Sequence, residues 1–245
     1  MKKLIAILLV IACMLVMASC DMGGSEQPPV DKTETQTVLD TLSEQIKKSA
    51  PSKSVVETVV GNELISLSST ETVVKGEVSG KEASLWEREY EALNDLGADS
   101  AVKKLVTERE EYVEGMGIRT NGGAWEDFPN PIRQIRPYRI NLDAALIQGF
   151  HAGETDEGRP SYSFVVPNKN IAAVLTGIDA DALASITSDV SVVIETDGVN
   201  VTRISLTYDM KSVALNGDNK LEDCKATLDA VYSYDLQSIT LIDKK

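Results

Sequence analysis

The segment SVVIETDGVNVTRISLTYDM (191–210), read together with ATLDAVYSYDLQSITLI (226–242), decides the fold. In the first, two runs rich in Val, Ile and Thr flank Asp197-Gly198, a dipeptide that favours a tight hairpin turn. Ile204, Leu206, Tyr208 and Met210 share one face of the second run, whereas Val199 and Val201 fall on the opposite phase. One extra residue near Thr202 reconciles the two phases, which predicts a β-bulge there. In the second segment Leu228, Ala230, Tyr232, Tyr234 and Leu236 alternate with mostly polar residues. At about 3.3 Å per residue, a strand over 226–236 is roughly 36 Å long. An antiparallel sheet of such strands has one apolar face that something else must cover.

Outward from this core, the pattern towards the N-terminus is mixed. Residues 33–49 place Val38, Leu39, Leu42 and Ile46 on one helical stripe, and Ala50-Pro51 stops the helix. Residues 53–60 and 63–78 are rich in Val and Thr and read as short strands, broken at Gly61-Asn62 and Gly76. In EASLWEREYEALNDL (82–96), Trp86, Tyr90 and Leu93 stand at helical spacing in a charged background, and residues 99–110 continue in that style. A helix is therefore expected across this stretch. From Tyr112 the chain alternates through Met116 and Ile118, turns at Asn121-Gly122-Gly123 and resumes at Ala124-Trp125, a hairpin signal. Pro129, Pro131 and Pro137 impose a loop. Asn141 is placed to cap a short helix through Gln148, and Asp179 another through Ile186.

This order of elements resembles the bacterial lipoprotein group that shares the fold of LolA-type carriers and LprG/LppX-type lipoproteins. The stretches that carry the resemblance are EYVEGMGIRTNGGAWEDF (111–128) and the two segments quoted first. The resemblance implies an α+β domain in which a curved antiparallel sheet forms an unclosed half-barrel, with helices covering its concave face. It further implies that acyl chains can lie in that concavity.

The N-terminus points to location. Lys2 and Lys3 precede fourteen apolar residues, 4–17, fewer than the roughly 20 that span a bilayer. They form the apolar stretch of a secretory signal, followed by Ala18, Ser19 and Cys20. MLVMASCDMGGSEQP (14–28) resembles a bacterial lipobox, with Met17 where the pattern prefers Leu. The resemblance implies that Cys20 is acylated and becomes the first mature residue. Cys13 offers a second box, but it would leave a very short apolar stretch and an apolar tail on the mature chain. The alternatives are an ordinary cleaved signal with an incidental cysteine and a retained signal anchor. Asp21 resembles an inner-membrane retention signal, which has meaning only in a cell with an outer membrane. Residues 21–36 lack apolar periodicity and read as a tether. The expected organisation is signal peptide 1–19, lipidated cysteine and tether 20–36, and one LolA/LprG-like domain 37–245.

Losing Lys2 and Lys3 makes the formal charge of −14 more negative by two. A surface so acidic is repelled by nucleic acid, which is excluded as a partner. Of three cysteines, only Cys224 remains unmodified in the mature chain, so no intramolecular disulfide is expected. His151 is the only histidine, so a His-ligated metal cluster is excluded, and GFHAGETDEG around it carries no nucleophile motif. Paired carboxylates such as Glu87, Glu89 and Glu91, or Glu154, Asp156 and Glu157, arise readily among 38 acidic residues and read as solvated faces rather than a hydrolytic pair. The acidic loops 154–158 and 216–223 lack calcium-loop spacing, and no Gly-rich phosphate loop appears. No catalysis, metal or cofactor is expected.

Two groups remain as binding candidates. Trp86, Tyr90, Trp125 and Phe128 could line an acyl cavity, since broad apolar side chains bury a tail without demanding a geometry; the alternative is that they are core. Arg133, Arg136 and Arg139 in NPIRQIRPYRI form the one basic patch of an acidic chain, suited to a phosphate or acidic partner or to pairing with nearby carboxylates. The sequence thus describes a non-catalytic, membrane-anchored extracytoplasmic lipoprotein that binds a lipid or other hydrophobic ligand. The alternative is an envelope protein-interaction module whose core is filled. Replacement of Cys20 by Ser is expected to abolish palmitate labelling and release the protein from the membrane pellet. Loss of both on Cys13→Ser instead would move the anchor to Cys13.

Overall fold

The computed structural model describes residues 32–93, 103–131, 133, 135, 140–176, 183–214, 220–235 and 237–241. The signal, Cys20 and most of the tether lie outside them. Helix α1 (Lys32–Lys48) is amphipathic, with Leu39, Leu42 and Ile46 buried. It starts early enough that residues 32–36, assigned to the tether on sequence, are helical. The strands that follow are β1 (Lys53–Gly61), β2 (Ser66–Val78), β3 (Lys81–Leu93), β4 (Lys103–Val113) and β5 (Gly117–Thr120). Then come β6 (Gln148–Glu154), β7 (Pro160–Val166), a 3-10 turn (Asn168–Asn170) and α2 (Ile171–Val174). The chain continues through β8 (Val190–Thr196), β9 (Val201–Ala214), β10 (Lys220–Ser233) and β11 (Gln237–Ser238).

All eleven strands belong to one sheet, in the order β5-β4-β3-β2-β1-β10-β9-β8-β7-β6, with β11 on β2. Every step along that path is antiparallel, while β11 is parallel to β2. β5 and β6 end the order without pairing to each other, so the sheet is not closed. The late hairpin is as its alternation requires. Glu195 pairs Arg203 and Thr196 pairs Val201, which leaves Thr202 as the extra residue of a bulge. Its turn is set by Asp197, whose Oδ1 accepts from the amides of Val199 (2.8 Å) and Asn200 (2.6 Å).

Of the helix expected over 82–96 and its continuation over 99–110, residues 82–93 and 103–110 instead form the β3–β4 pair, and 94–102 lie outside the described residues. Trp86 and Tyr90 are four residues apart, a spacing that serves both a helical stripe and one face of a strand. The cross-strand partners choose the strand: Trp86 lies between Val73 of β2 and Glu110 of β4. The charges that suggested a solvated helix pair across strands, Glu91 with Lys103 at 3.2 Å and Glu87 with Arg109. Gly76 does not break β2 but lies within it. The hairpin after Tyr112 also differs. Residues 114–116 close β4 onto β5, and a second reversal at 121–124 brings Glu126 back to Ile118. Asn141 caps no helix; its side chain donates to the carbonyl of Ala173, and a turn at 144–146 leads into β6. Of the helix expected from Asp179, residues 177–182 lie outside the described residues.

Residues opposed across the ladders share a face, and the two faces of the sheet bury different clusters. The larger joins Val192, Ile194, Ile204, Leu206, Ala230 and Tyr232 from the strands with Leu39, Leu42 and Ile46 of α1 and Ile171 and Val174 of α2. Each such aliphatic side chain is worth about 1.5–3 kcal/mol when fully buried. The smaller, on the opposite face, gathers Val74, Ala83, Val113 and Ile239, with Trp125 and Leu241 against it. The last segment reaches this cluster because β11 runs beside Gly76, where a Cβ would stand 2.3 Å from the carbonyl oxygen of Gln237. Gly76→Ala is therefore expected to detach residues 237–241 and lower Tm. Hydrogen exchange checks this: β11 amides should exchange faster than those of β10, and equal protection in the variant would refute the close approach.

Candidate functional site

A recess of about 670 Å³ with an apolar floor lies where α1 ends. Ser43, Ile46 and Lys47 reach it from one side of the last helical turns, as i, i+3 and i+4 neighbours do. Ser49 terminates the helix there, its Oγ donating to the carbonyl of Gln45 (2.7 Å) and accepting from the amide of Val201 in β9 (3.2 Å). Opposite, β2 supplies Lys75, whose amide donates to the carbonyl of Ser52 at 2.7 Å. The third wall is Ile135, Ile140 and Asn141, anchored by the Asn141 amide on the carbonyl of Val174 at 2.7 Å. Ile46, Ile135 and Ile140 are buried and make the apolar floor; Ser43, Asn141 and the two lysines make a polar rim.

The rim is electrostatically uneven. Lys47 Nζ is 3.1 Å from Glu44 Oε1, and Lys48 is 3.7 Å from the other oxygen. The hydrogen bond and charge of Lys47 hold the Glu44 carboxyl below its ordinary range. Lys75 is exposed and has no ion pair among the described residues. The recess thus offers an apolar floor and, in Lys75, a lining cation with no ion pair among the described residues.

Of the four aromatic candidates, the structure groups only two on this face. Trp86 is 7% exposed, belongs to the large cluster, and follows by two residues Ser84, which pairs with Lys75. Tyr90 lies further along the same face, half-buried beneath the Arg88 guanidinium at 4.5 Å, with its hydroxyl donating to Glu108 at 3.4 Å. Trp125 packs on the opposite face of the sheet. Phe128 is 43% exposed in the loop after it. Arg133 is no isolated basic group: its guanidinium stacks on Trp86 at 4.6 Å. Burial raises the carboxyl pKa of nearby Glu110, and the Arg133 charge works against that rise. Arg136 and Arg139 lie outside the described residues. Cys224 is 1% exposed, and its thiol donates to the carbonyl of Leu221 at 3.3 Å. His151 sits exposed on the edge strand β6. No group of three potential metal ligands occurs among the described residues, and none of their helices is long and apolar enough to cross a membrane.

Sequence reasoning placed Ile46 on the apolar stripe but missed Lys47, Lys75, Ile135 and Ile140 as a site. Nothing local marks them, since three separate segments bring them together. The role of Trp125 is explained by its neighbours. Glu111, 1% exposed, accepts from Arg109 Nε (3.1 Å) and Nη2 (2.8 Å) on one oxygen and from Arg119 on the other. Arg119 in turn stacks on Trp125 at 4.7 Å, and Arg109 donates to the carbonyl of Thr240 at 2.7 Å.

No protein-family model and no curated protein matches the chain. Among solved structures, the chain is similar to a DUF1329 family protein from Desulfovibrio piger, at 12% identity and TM-score 0.29, over 86% of this chain and 96% of that one. It is also similar to a putative outer membrane lipoprotein-sorting protein domain from Vibrio parahaemolyticus, at 8% identity and TM-score 0.25, over 84% and 95%. Both likenesses are loose, and neither bears on what this chain does.

Breaking the Glu111 network should show that this face is structural. Glu111→Gln removes the charge between two partly buried guanidinium groups, for which a loss of about 3–5 kcal/mol is expected. Chemical denaturation measures it, and a loss below about 1 kcal/mol would mean that the arginines find other partners.

Proposed function

We propose that this protein is a non-catalytic carrier that binds a hydrophobic ligand in the recess between the end of α1, β2 and the side chains of Ile135 and Ile140. The observation that carries the reading is the recess itself: about 670 Å³ of space over three buried isoleucines, ringed by hydroxyl, amide and ammonium groups. That volume falls within the roughly 300–1,000 Å³ of sites for one small ligand, and an apolar lining with a few polar groups is their usual make-up. In this reading α1 and the shorter helical segments cover the concave side of the sheet, in the manner of LolA-type carriers, and leave this end open. Residues 1–19 are the signal peptide, Cys20 carries the acyl chains, and the residues from 21 up to the start of α1 link the anchor to the domain. Two or more acyl chains hold the protein on the extracytoplasmic side of the cell membrane, and the link keeps the recess within reach of the bilayer.

The packed cluster favours a second reading. Leu39, Leu42, Val174, Val192, Ile194 and Ile204 are all 1% exposed or less, so no ligand enters that part of the core. If the recess merely holds water, the protein is an interaction module that meets an envelope partner through its outer surfaces.

Native mass spectrometry of the mature chain carrying Cys20→Ser, purified from the producing cells, separates the two. A discrete added mass that yields a lipid on extraction is expected. A clean unliganded mass, with no uptake of added fatty acid or phospholipid, would overturn the carrier reading in favour of the module.

A further inference from the structure

Resting on the reading of the recess as a ligand site, we propose that its ligand is a single-chain amphiphile with one negative charge, a carboxylate-headed acyl chain, whose head is held by Lys75. Three observations fix the class. The floor of Ile46, Ile135 and Ile140 offers no hydrogen bond to a tail and buries one by apolar contact alone. The volume of about 670 Å³ suits one chain rather than the several of a bulky lipid.

The rim sets the head. Lys47 is engaged with the Glu44 carboxylate at 3.1 Å, which it shares with Lys48 at 3.7 Å, so its ammonium is not free for a ligand head. Its place in the last turn of α1 also answers the negative end of the helix dipole. Lys75 is different. It projects from the face of β2 that carries Val73, its ammonium is unpaired among the described residues, and its backbone is fixed through Ser52. The exposed Glu77 and Glu82 oppose each other further along this face, and neither forms an ion pair with it. One free cation above an apolar floor therefore matches a monoanion. A neutral head would forgo this charge-assisted hydrogen bond, and a dianion would keep one charge uncompensated beside an acidic protein.

The test compares a dansyl-labelled undecanoic acid with its methyl ester, on the mature chain carrying Cys20→Ser, with and without Lys75→Met. Binding is read by dansyl fluorescence. The acid is expected to bind about tenfold tighter than the ester at low salt, as one hydrogen bond to a charged group predicts. Lys75→Met should bring the acid down to the affinity of the ester and leave the ester unchanged. Added salt should narrow the gap. If acid and ester bind equally and Lys75→Met changes neither, the head assignment fails while the hydrophobic site stands. If neither probe binds protein whose circular dichroism and thermal transition are native, both the assignment and the carrier reading fail. Tight uptake of a two-chain phospholipid with exclusion of the acid would overturn the class.

Discussion

The structure hangs on the ladder between β1 and β10. Nine pairs, from Lys53 opposite Ser233 to Gly61 opposite Lys225, join the first strand of the chain to one of its last. On either side the sheet is locally wound: β1 to β5 follow one another in order, and so do β6 to β10. Each half could form from neighbouring segments, but a few strands with one apolar face are marginal alone. The long-range ladder is slow to form, because closing so large a loop precedes any gain. Once formed, it makes one continuous face on which Val56, Ala230, Ile204 and Ile194 align in a row. It also pins the end of α1. The amide of Ser52 donates to Ser233 at 2.9 Å, and the Ser52 carbonyl accepts from Lys75 at 2.7 Å. The recess is thus a product of that weld: it lies where α1 turns down into the strand that joins the halves.

How much of this the sequence carries follows from the range of each interaction. The bulge at Thr202 is legible because the phase of alternating apolar residues must break somewhere between Val201 and Ile204. The stripe of α1 is legible for the same reason at a different period. The β3–β4 pair is not, because Trp86 and Tyr90 satisfy both periods and the surrounding charges resemble a solvated helix. Only their cross-strand partners on β4, Glu110 and Val106, decide it, and those are distant in sequence. The aromatic candidates separate for a related reason. Trp86 and Glu111 occupy opposite faces because Trp86 pairs with Glu110, a register that no local pattern discloses. Lys75 was equally invisible as a site residue, being one of many charged residues in alternating strands until α1 arrives beside it.

The two faces of β2–β4 divide the work. One carries Trp86 into the large cluster and Lys75 to the recess; the other buries Glu111 between Arg109 and Arg119. An ion network buried this deeply stabilises little over an apolar equivalent. What it supplies is geometry: it links β4 to β5, to Trp125 and to the carbonyl of Thr240. Those links tie residues 237–241 across the outer surface of the strands whose inner surface bounds the recess. Rigid backing on one side lets the other side remain unfilled.

The recess at the end of α1 opens to solvent, so water reaches its floor of three isoleucines. The chain packs Leu39, Leu42, Ile194 and Ile204 without residual exposure a short distance away, so it can close a core where closure is required. At the end of α1 it does not, and it sets Ser43, Ser49, Asn141, Lys47 and Lys75 around the gap. These groups keep water there at little cost when nothing is bound. Water over three isoleucines is itself poorly placed, since it cannot hydrogen-bond to the floor beneath it. An apolar chain would release that water and keep its own polar end at the rim, which is the physical reason to read the gap as a site.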